Sequence, residues 1–399
     1  MFMKVVLIIF CILMLTGCGR DLYKLPDDVL IELNNNYFEV YSETMVSNLI
    51  ESSNINYKNS KIKTDKIGKF TYTLEFTYKN KKYKKDIKYE VKDTTPPVFI
   101  SYYGSTSILV NQDIYPCDDA IYADNYDTEL TCIIDGEFDL TKTGTYDTYY
   151  SLTDYSGNET RKKLTLKVVD KFKNNSNSSG SATIKQSDIS YFINNYKNDN
   201  TMIGIDVSRW QGDIDYAKVK NAGVEFVIMR IGVNSSANGA LEIDSFYKKN
   251  IQNAKDAGLK VGVYLYTTAI NKKVALEHAK WVIKTLDDIK LDFPVAYDWE
   301  NWKWFMEYEI NLNTLSECVN TFAKELKKYG YDTMLYSSKF YLENVWTNKN
   351  NLPVWLAHYT NQTNYEGDYI MWQLSSNGKV DGINGPVDIN IYYQNKKTN

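Results

Sequence analysis

Asp298 and Glu300 stand two residues apart at the end of the apolar run Pro294-Val-Ala-Tyr-Asp-Trp-Glu. On an extended strand, side chains at i and i+2 point to the same face, so the two carboxyls would be held together. Such a pair suits acid-catalysed cleavage of a glycosidic bond. One carboxyl stays protonated and donates to the leaving oxygen, and the other stays ionised and stabilises the developing oxocarbenium charge. Crowding of like charges raises one of the two pKa values, and partial burial beside Tyr297, Trp299 and Trp302 works in the same direction. The longer reach of Glu300 makes it the acid. An isolated Asp-x-Glu is ordinarily a solvated strand end; here it terminates a strongly apolar strand in an aromatic setting.

Two more acids end apolar runs: Asp206 in Ile203-Gly-Ile-Asp and Asp388 in Gly385-Pro-Val-Asp-Ile-Asn390. The surrounding rhythm explains how residues so far apart could meet. Apolar strands are expected at 203–207, 226–231, 261–266, 295–299, 333–336, 354–358, 370–374 and 387–391, with amphipathic helices at 245–257, 272–289 and 314–329. Buried strands alternating with helices predict a parallel (β/α) barrel. It should be irregular in its second half, where the last three strands leave little room for helices. In such barrels the active site lies at the C-terminal strand ends, and closure sets the first strand beside the last. Asp206, Asp298, Glu300 and Asp388 should therefore converge on one mouth.

Tyr264, Trp355, Tyr359, Trp372 and Gln373 lie on or beside these strands and are the candidate glycan contacts. Trp210, Tyr266 and Tyr336 are assigned to the core. Zinc hydrolysis would need two or three histidine ligands. His278 has helical spacing to Val274 and Val282, and His358 alternates away from Trp355, Ala357 and Tyr359. A thiol nucleophile would need a placed histidine, whereas Cys318 sits inside an ordinary amphipathic helix. No metal and no cofactor are expected at the site.

Residues 203–393 resemble the lysozymes of glycoside hydrolase family 25. The matching pieces are Gly204-Ile-Asp-Val-Ser-Arg-Trp-Gln-Gly212, Asp244-Ser-Phe-Tyr-Lys-Lys-Asn250 with Ala254 to Gly258, Gly262-Val-Tyr264, Asp298-Trp-Glu300, Trp355-Leu-Ala-His-Tyr359, Trp372-Gln373 and Val387-Asp-Ile-Asn390. The resemblance implies hydrolysis of the β-1,4 bond after N-acetylmuramic acid in peptidoglycan, with Glu300 as catalytic acid and Asp206, Asp298 and Asp388 shaping and charging the site. By analogy with families that use the substrate's own acetamido group, Asp298 would orient that group. Met229-Arg-Ile-Gly-Val233 departs from the family's usual Lys-x-Ser/Thr-Glu-Gly, which leaves substrate contacts on that strand open.

The chain has 399 residues, enough for two to four domains. With 46 basic against 50 acidic residues it carries no polybasic footprint, and nucleic acid is excluded as a partner. Lys4 precedes an apolar run from Val5 to Leu15 that is short of the ~20 residues a membrane span needs, so it reads as a signal sequence over residues 1–18. Leu15-Thr-Gly-Cys18 resembles the lipobox of bacterial lipoproteins, which implies a diacylated Cys18 and attachment to the outer face of the bacterial cell membrane. Residues 21–93 and 94–170 form an internal repeat of strand-rich segments, expected to be two small all-β sandwiches joined at Asp93-Thr-Thr-Pro-Pro97. The second resembles bacterial immunoglobulin-like modules.

Cys117 and Cys132 could pair, because exported proteins tolerate disulfides. Asp118, Asp119, Asp124 and Asp127 match no EF-hand spacing and read as a solvated acidic loop rather than a calcium site. Residues 171–200, Asn/Ser/Gly-rich at their start, are expected to be a linker, and 201–399 to form the barrel. A peptidoglycan-binding or adhesion protein without turnover is the alternative reading.

Overall fold

A computed structural model describes residues 25–34, 37–115, 117–172, 186–234, 240–346 and 352–394. Cys18, the signal sequence and linker residues 173–185 lie outside the described residues. The chain divides between Asp93 and Thr94 into two compact units.

The first unit is all-β. Its main hairpin pairs Gly68–Tyr78 with Lys81–Lys92, Tyr78 standing opposite Lys81. The two-residue turn Lys79-Asn80 has φ of 46° and 61°, both in the left-handed region that type I′ turns require. Alternation along the hairpin buries Leu74, Phe76, Ile87, Tyr89 and Val91 on one face and leaves lysines on the other.

The second unit begins with another all-β module. Strands Thr131–Asp135, Gly144–Thr153, Glu159–Val169 and Ser105–Leu109 form one sheet, in that order, and Val98–Ser101 pairs with Ile121–Ala123 in a second. Phe99 of the small sheet packs on Tyr150, Leu152 and Leu164 of the large one. Cys117 and Cys132 are joined in a disulfide beside this core, with Cα atoms 6.1 Å apart. The acidic loop differs from expectation: Asp118 and Asp119 are exposed, but Asp124 is buried and accepts the N–H groups of Tyr126 and Asp127. It is a folded loop and not a solvated one.

The module is continuous with the barrel. Ile100 and Ala123 belong to the same hydrophobic cluster as Trp304 and Phe305, which lie in the short helix Trp304–Glu307. The N–H of Leu312 donates to Asp124 O at 2.8 Å, and Asn311 Nδ2 donates to Tyr126 O at 2.7 Å.

Eight strands close the barrel: β1 (Thr201–Val207), β2 (Phe226–Val233), β3 (Lys260–Tyr266), β4 (Val295–Asp298), β5 (Thr333–Ser338), β6 (Val354–Ala357), β7 (Met371–Lys379) and β8 (Val387–Tyr393). β1 to β7 run parallel, each paired to the next. β8 closes the cylinder antiparallel to both β7 and β1. A regular (β/α) barrel has eight parallel strands, so this one departs from it. The reason is the connection from β7 to β8, residues 380–386, which is long enough for a reversal and too short for a helical crossover.

The helices Tyr247–Asp256, Lys272–Leu286 and Leu312–Lys327 pack outside the first half of the barrel. Asn271 and Asn311 cap the second and third, accepting from Val274 N–H and Thr314 N–H. Every residue of β1 is buried, as strands covered on both faces require. Ile203, Ile205 and Val207 face the helices, while Met202, Gly204 and Asp206 alternate into the barrel. Inside, Met202, Phe226, Ile228, Phe293, Met334 and Met371 fill the lower layers. Gly204 and Gly262 make room for them, since a Cβ at either would come within 2.5 Å of Phe226 or Ile228. The interior is thus plugged below and polar only at the top.

Candidate active site

The polar top layer is built from strand ends. Antiparallel pairing of β1 and β8 sets Asp206 directly opposite Asp388. Gln373 Nε2 and Asn390 Nδ2 each donate to Asp206 Oδ2 at 2.8 Å. Burial raises the Asp206 carboxyl, and these hydrogen bonds hold the rise in check. Asp388 is raised further, by burial first and then by the charge of Asp206 and a hydrogen bond with it. Both carboxyls are thus held above the ordinary carboxylate range, Asp388 the more strongly.

Asp298 ends β4, is buried, and has no hydrogen-bond partner for Oδ1 among the described residues. Burial and then the charges of Glu300 and Asp206 raise it well above the carboxylate range, against the pull of Arg230. Glu300 is exposed at the rim but densely surrounded by protein, and that crowding together with Asp206 pushes it upward. Trp299 between them is turned outward, its Nε1 donating to Ala269 O at 3.1 Å and its ring edge-on to Trp302. The period-two alternation thus puts both carboxyls on the inner face. Tyr297 also points outward, onto Phe322, so the burial of Asp298 comes from the barrel interior and not from Tyr297 or Trp299.

The four acids line one cavity of ≈ 240 Å³, with Arg230, Tyr264, Tyr266, Tyr336, Trp355, Tyr359, Gln373 and Trp210 among its walls. A second hollow, bounded by Trp302, Phe340 and Tyr341, shares Glu300, Tyr336 and Tyr359 with it. Aromatic rings stand exposed at the edge of the cavity: Trp210 is 75% exposed and Tyr359 58%.

Several sequence expectations need correction. Trp372 does not reach the cavity; it is buried in the outer shell, its Nε1 donating to His358 O at 2.8 Å and its ring edge-on to Tyr196. Adjacent strand residues face opposite ways, so Gln373 and Trp372 cannot both point inward. Gln373 is itself buried and fully engaged: its Oε1 accepts from Tyr336 and Tyr359 hydroxyls at 2.8 and 2.9 Å. It positions Asp206 and the tyrosines. Trp355 forms the cavity floor, with Nε1 donating to Asn390 Oδ1 at 2.8 Å. Trp210, Tyr266 and Tyr336, assigned to the core, line the cavity. Trp210 extends from a short 3-10 turn after β1, where strand alternation no longer applies.

Arg230 was not singled out. It is buried in β2, and its Nε donates to Asp244 Oδ2 at 2.8 Å. Asp244 also accepts the N–H groups of Arg209 and Phe246, so one buried carboxylate fixes both Arg230 and the turn carrying Trp210. The available signal was a lone arginine within the apolar run Phe226–Val233. His278 bonds Thr267 Oγ1 and His358 bonds Thr363 Oγ1, both at 2.8 Å, and Cys318 is a buried free thiol.

The family model of the glycosyl hydrolases family 25 matches residues 205–383, the stretch that carries most of this cavity. The protein YegX of Escherichia coli (strain K12) is 31% identical over 198 residues, covering 48% of this chain and 70% of that protein. The chain belongs to glycosyl hydrolase family 25. Its family 25 domain is a glycoside hydrolase domain, and Asp206, Asp298 and Glu300 lie inside the matched residues. An autolytic lysozyme of Clostridium acetobutylicum is 32% identical over 193 residues, 48% of this chain and 56% of that protein. The chain thus spans little more than half the length of this curated relative. Among solved structures, the modular autolysin LytC of Streptococcus pneumoniae in complex with a synthetic peptidoglycan ligand has 25% identity and a TM-score of 0.45, over 61% of this chain and 56% of that one.

Proposed function

We propose that the chain is a cell-wall muramidase that hydrolyses the β-1,4 bond between N-acetylmuramic acid and N-acetylglucosamine in peptidoglycan. The observation that carries the reading is the gathering of four carboxyls at one cavity of a family 25 domain. Glu300 is the general acid: it stands at the rim, where a glycosidic oxygen can reach it, and its raised pKa keeps a proton available. Asp298, deeper and with an uncommitted oxygen, orients the 2-acetamido group so that its carbonyl oxygen approaches the anomeric carbon. Asp206 and Asp388 set the charge around the pair. The exposed aromatic rings at the cavity and at the adjoining hollow suit a glycan, since flat apolar rings pack against sugar faces.

The all-β modules, the second of them immunoglobulin-like, act as spacers. Lipidation of Cys18 tethers the protein to the outside of the cell membrane. Among the described residues no helix is long and apolar enough to cross a membrane. Incorporation of labelled palmitate that disappears in Cys18→Ala tests the tether.

Purified peptidoglycan digested with the protein should release fragments with new reducing ends on muramic acid, and Glu300→Gln should release none while still binding the cell wall. New ends on glucosamine would move the bond, and free peptides would refute the glycosidase reading.

A further inference from the structure

Away from the barrel mouth, Asp124, Asp127 and Asp154 bring carboxylate oxygens to within 4.8 Å of one another. Asp124 and Asp127 lie in the loop after strand Ile121–Ala123, and Asp154 begins the turn between Gly144–Thr153 and Glu159–Val169. Asp124 and Asp154 are both buried, at 0% and 7% exposure. Three gathered carboxylates repel, and among the described residues no lysine or arginine is ion-paired with any of them.

The second observation is an orphaned atom. Asp124 Oδ1 accepts two backbone N–H groups, from Tyr126 and Asp127, both at 2.8 Å. Its Oδ2 is buried and has no hydrogen-bond partner among the described residues. A buried carboxylate oxygen without a partner is costly unless something positive meets it. The other two carboxylates are held in place by backbone and, at Asp154 Oδ2, by Asn158 Nδ2 at 2.7 Å. Asp127 Oδ2 accepts Tyr155 N–H at 2.9 Å, and Asp154 Oδ1 accepts Asn158 N–H at 2.8 Å. Each keeps lone pairs for a further partner.

We propose that Asp124, Asp127 and Asp154 bind a calcium ion. The donors are all oxygens, which suits a hard cation and gives thiophilic or imidazole-seeking metals no purchase. Oxygens that all lie within 4.8 Å of one another can share one calcium ion through bonds of about 2.3–2.6 Å. The site has a structural consequence. The same loop offers Asp124 O to Leu312 N–H and Tyr126 O to Asn311 Nδ2, so the ion orders the segment through which the β module grips the barrel. The inference is independent of the activity proposed above.

The test is calorimetric titration of the full-length protein, stripped with chelator, with calcium chloride. A saturable isotherm with one site and Kd of about 10⁻⁴ to 10⁻³ M, the range of extracellular calcium modules, is expected, with a rise in melting temperature at saturation. Asp127→Asn and Asp154→Asn should each weaken binding at least tenfold. Asp127→Asn keeps an oxygen for Tyr155 N–H, so its fold should survive, which circular dichroism checks. Absence of saturable heat up to about 10 mM calcium, ten times the weakest affinity of that class, would overturn the proposal. So would isotherms unchanged in both variants, or magnesium chloride binding as tightly as calcium.

Discussion

Asp388 on the last barrel strand lies directly opposite Asp206 on the first, across the antiparallel seam that closes the cylinder. A parallel final strand would give a slanted ladder there; the reversal instead brings two acids face to face at the mouth. The seam is a structural joint and a charge-setting device at once, because Gln373 on β7 and Asn390 on β8 itself both donate to Asp206.

The first expectation concerns stability against pH. Asp388 is raised to about 8 in the folded protein, by burial and by Asp206, against about 3.9 in an unfolded chain. Between those values the folded state binds more protons than the unfolded state. Stability from this group is therefore full below pH 4 and is lost as pH rises toward 8. Asp388→Asn removes the second charge, so it should melt above the wild type at pH 9, with the gap narrowing by pH 5. A gap that does not change with pH would show that the fold does not raise the Asp388 carboxyl.

The second concerns the alkaline limb of activity. An acid catalyst must be protonated, so turnover should fall as pH rises through the elevated pKa of Glu300. After burial, the Asp206 charge is what raises it. Asp206→Asn should therefore move that limb to lower pH, whereas Glu300→Gln should abolish the limb and lower kcat by about 10² to 10⁴ on its acid side, the gap to the wild type closing as pH rises through it. A limb that stays put in Asp206→Asn separates the two groups electrostatically.

The third concerns a bracket. Gln373 joins Asp206 to Tyr336 and Tyr359 through both ends of its amide. Gln373→Leu strips a donor from a buried carboxylate and an acceptor from two hydroxyls, which costs about 1–3 kcal/mol per unsatisfied group. Melting should drop, and kcat should fall more than KM rises, because the tyrosines lose their register. Gln373→Glu keeps the acceptor but sets a charge against Asp206, and should be worse for activity at pH 8 than at pH 5.

Much of this architecture was legible. The eight strands stood out because parallel strands covered on both faces read as unbroken apolar runs, and a polar residue ending such a run is conspicuous, as Asp206 and Asp298 are. Orientation was harder. Trp372 and Gln373 adjoin, and only knowing which of them faces inward assigns the other; Gln373 does, so Trp372 belongs to the shell. Trp210 was misplaced because its turn has no period to read. Arg230 and Asp244 are 14 positions apart, and nothing in their spacing announces that they pair. Asp154 joins Asp124 only because sandwich topology folds a distant turn over the loop.

The last expectation tests the packing under the site. A Cβ on Gly204 would lie 2.5 Å from three ring atoms of Phe226, which is fully buried and held by Phe293 at 4.9 Å between centroids. Replacing glycine by alanine ordinarily stabilises by about 0.4–1 kcal/mol through the unfolded chain. Here the ring has nowhere to withdraw, and overpacking of this kind costs about 1–3 kcal/mol. The overpacking wins, so Gly204→Ala should lower the melting temperature by several degrees and, by shifting β1, disturb Asp206 one turn of the alternation above it. Gly104→Ala is the control, since a Cβ there meets nothing within 4 Å, and it should melt at or slightly above the wild type. Equal melting of both variants would mean that the barrel floor yields where a close-packed interior should not.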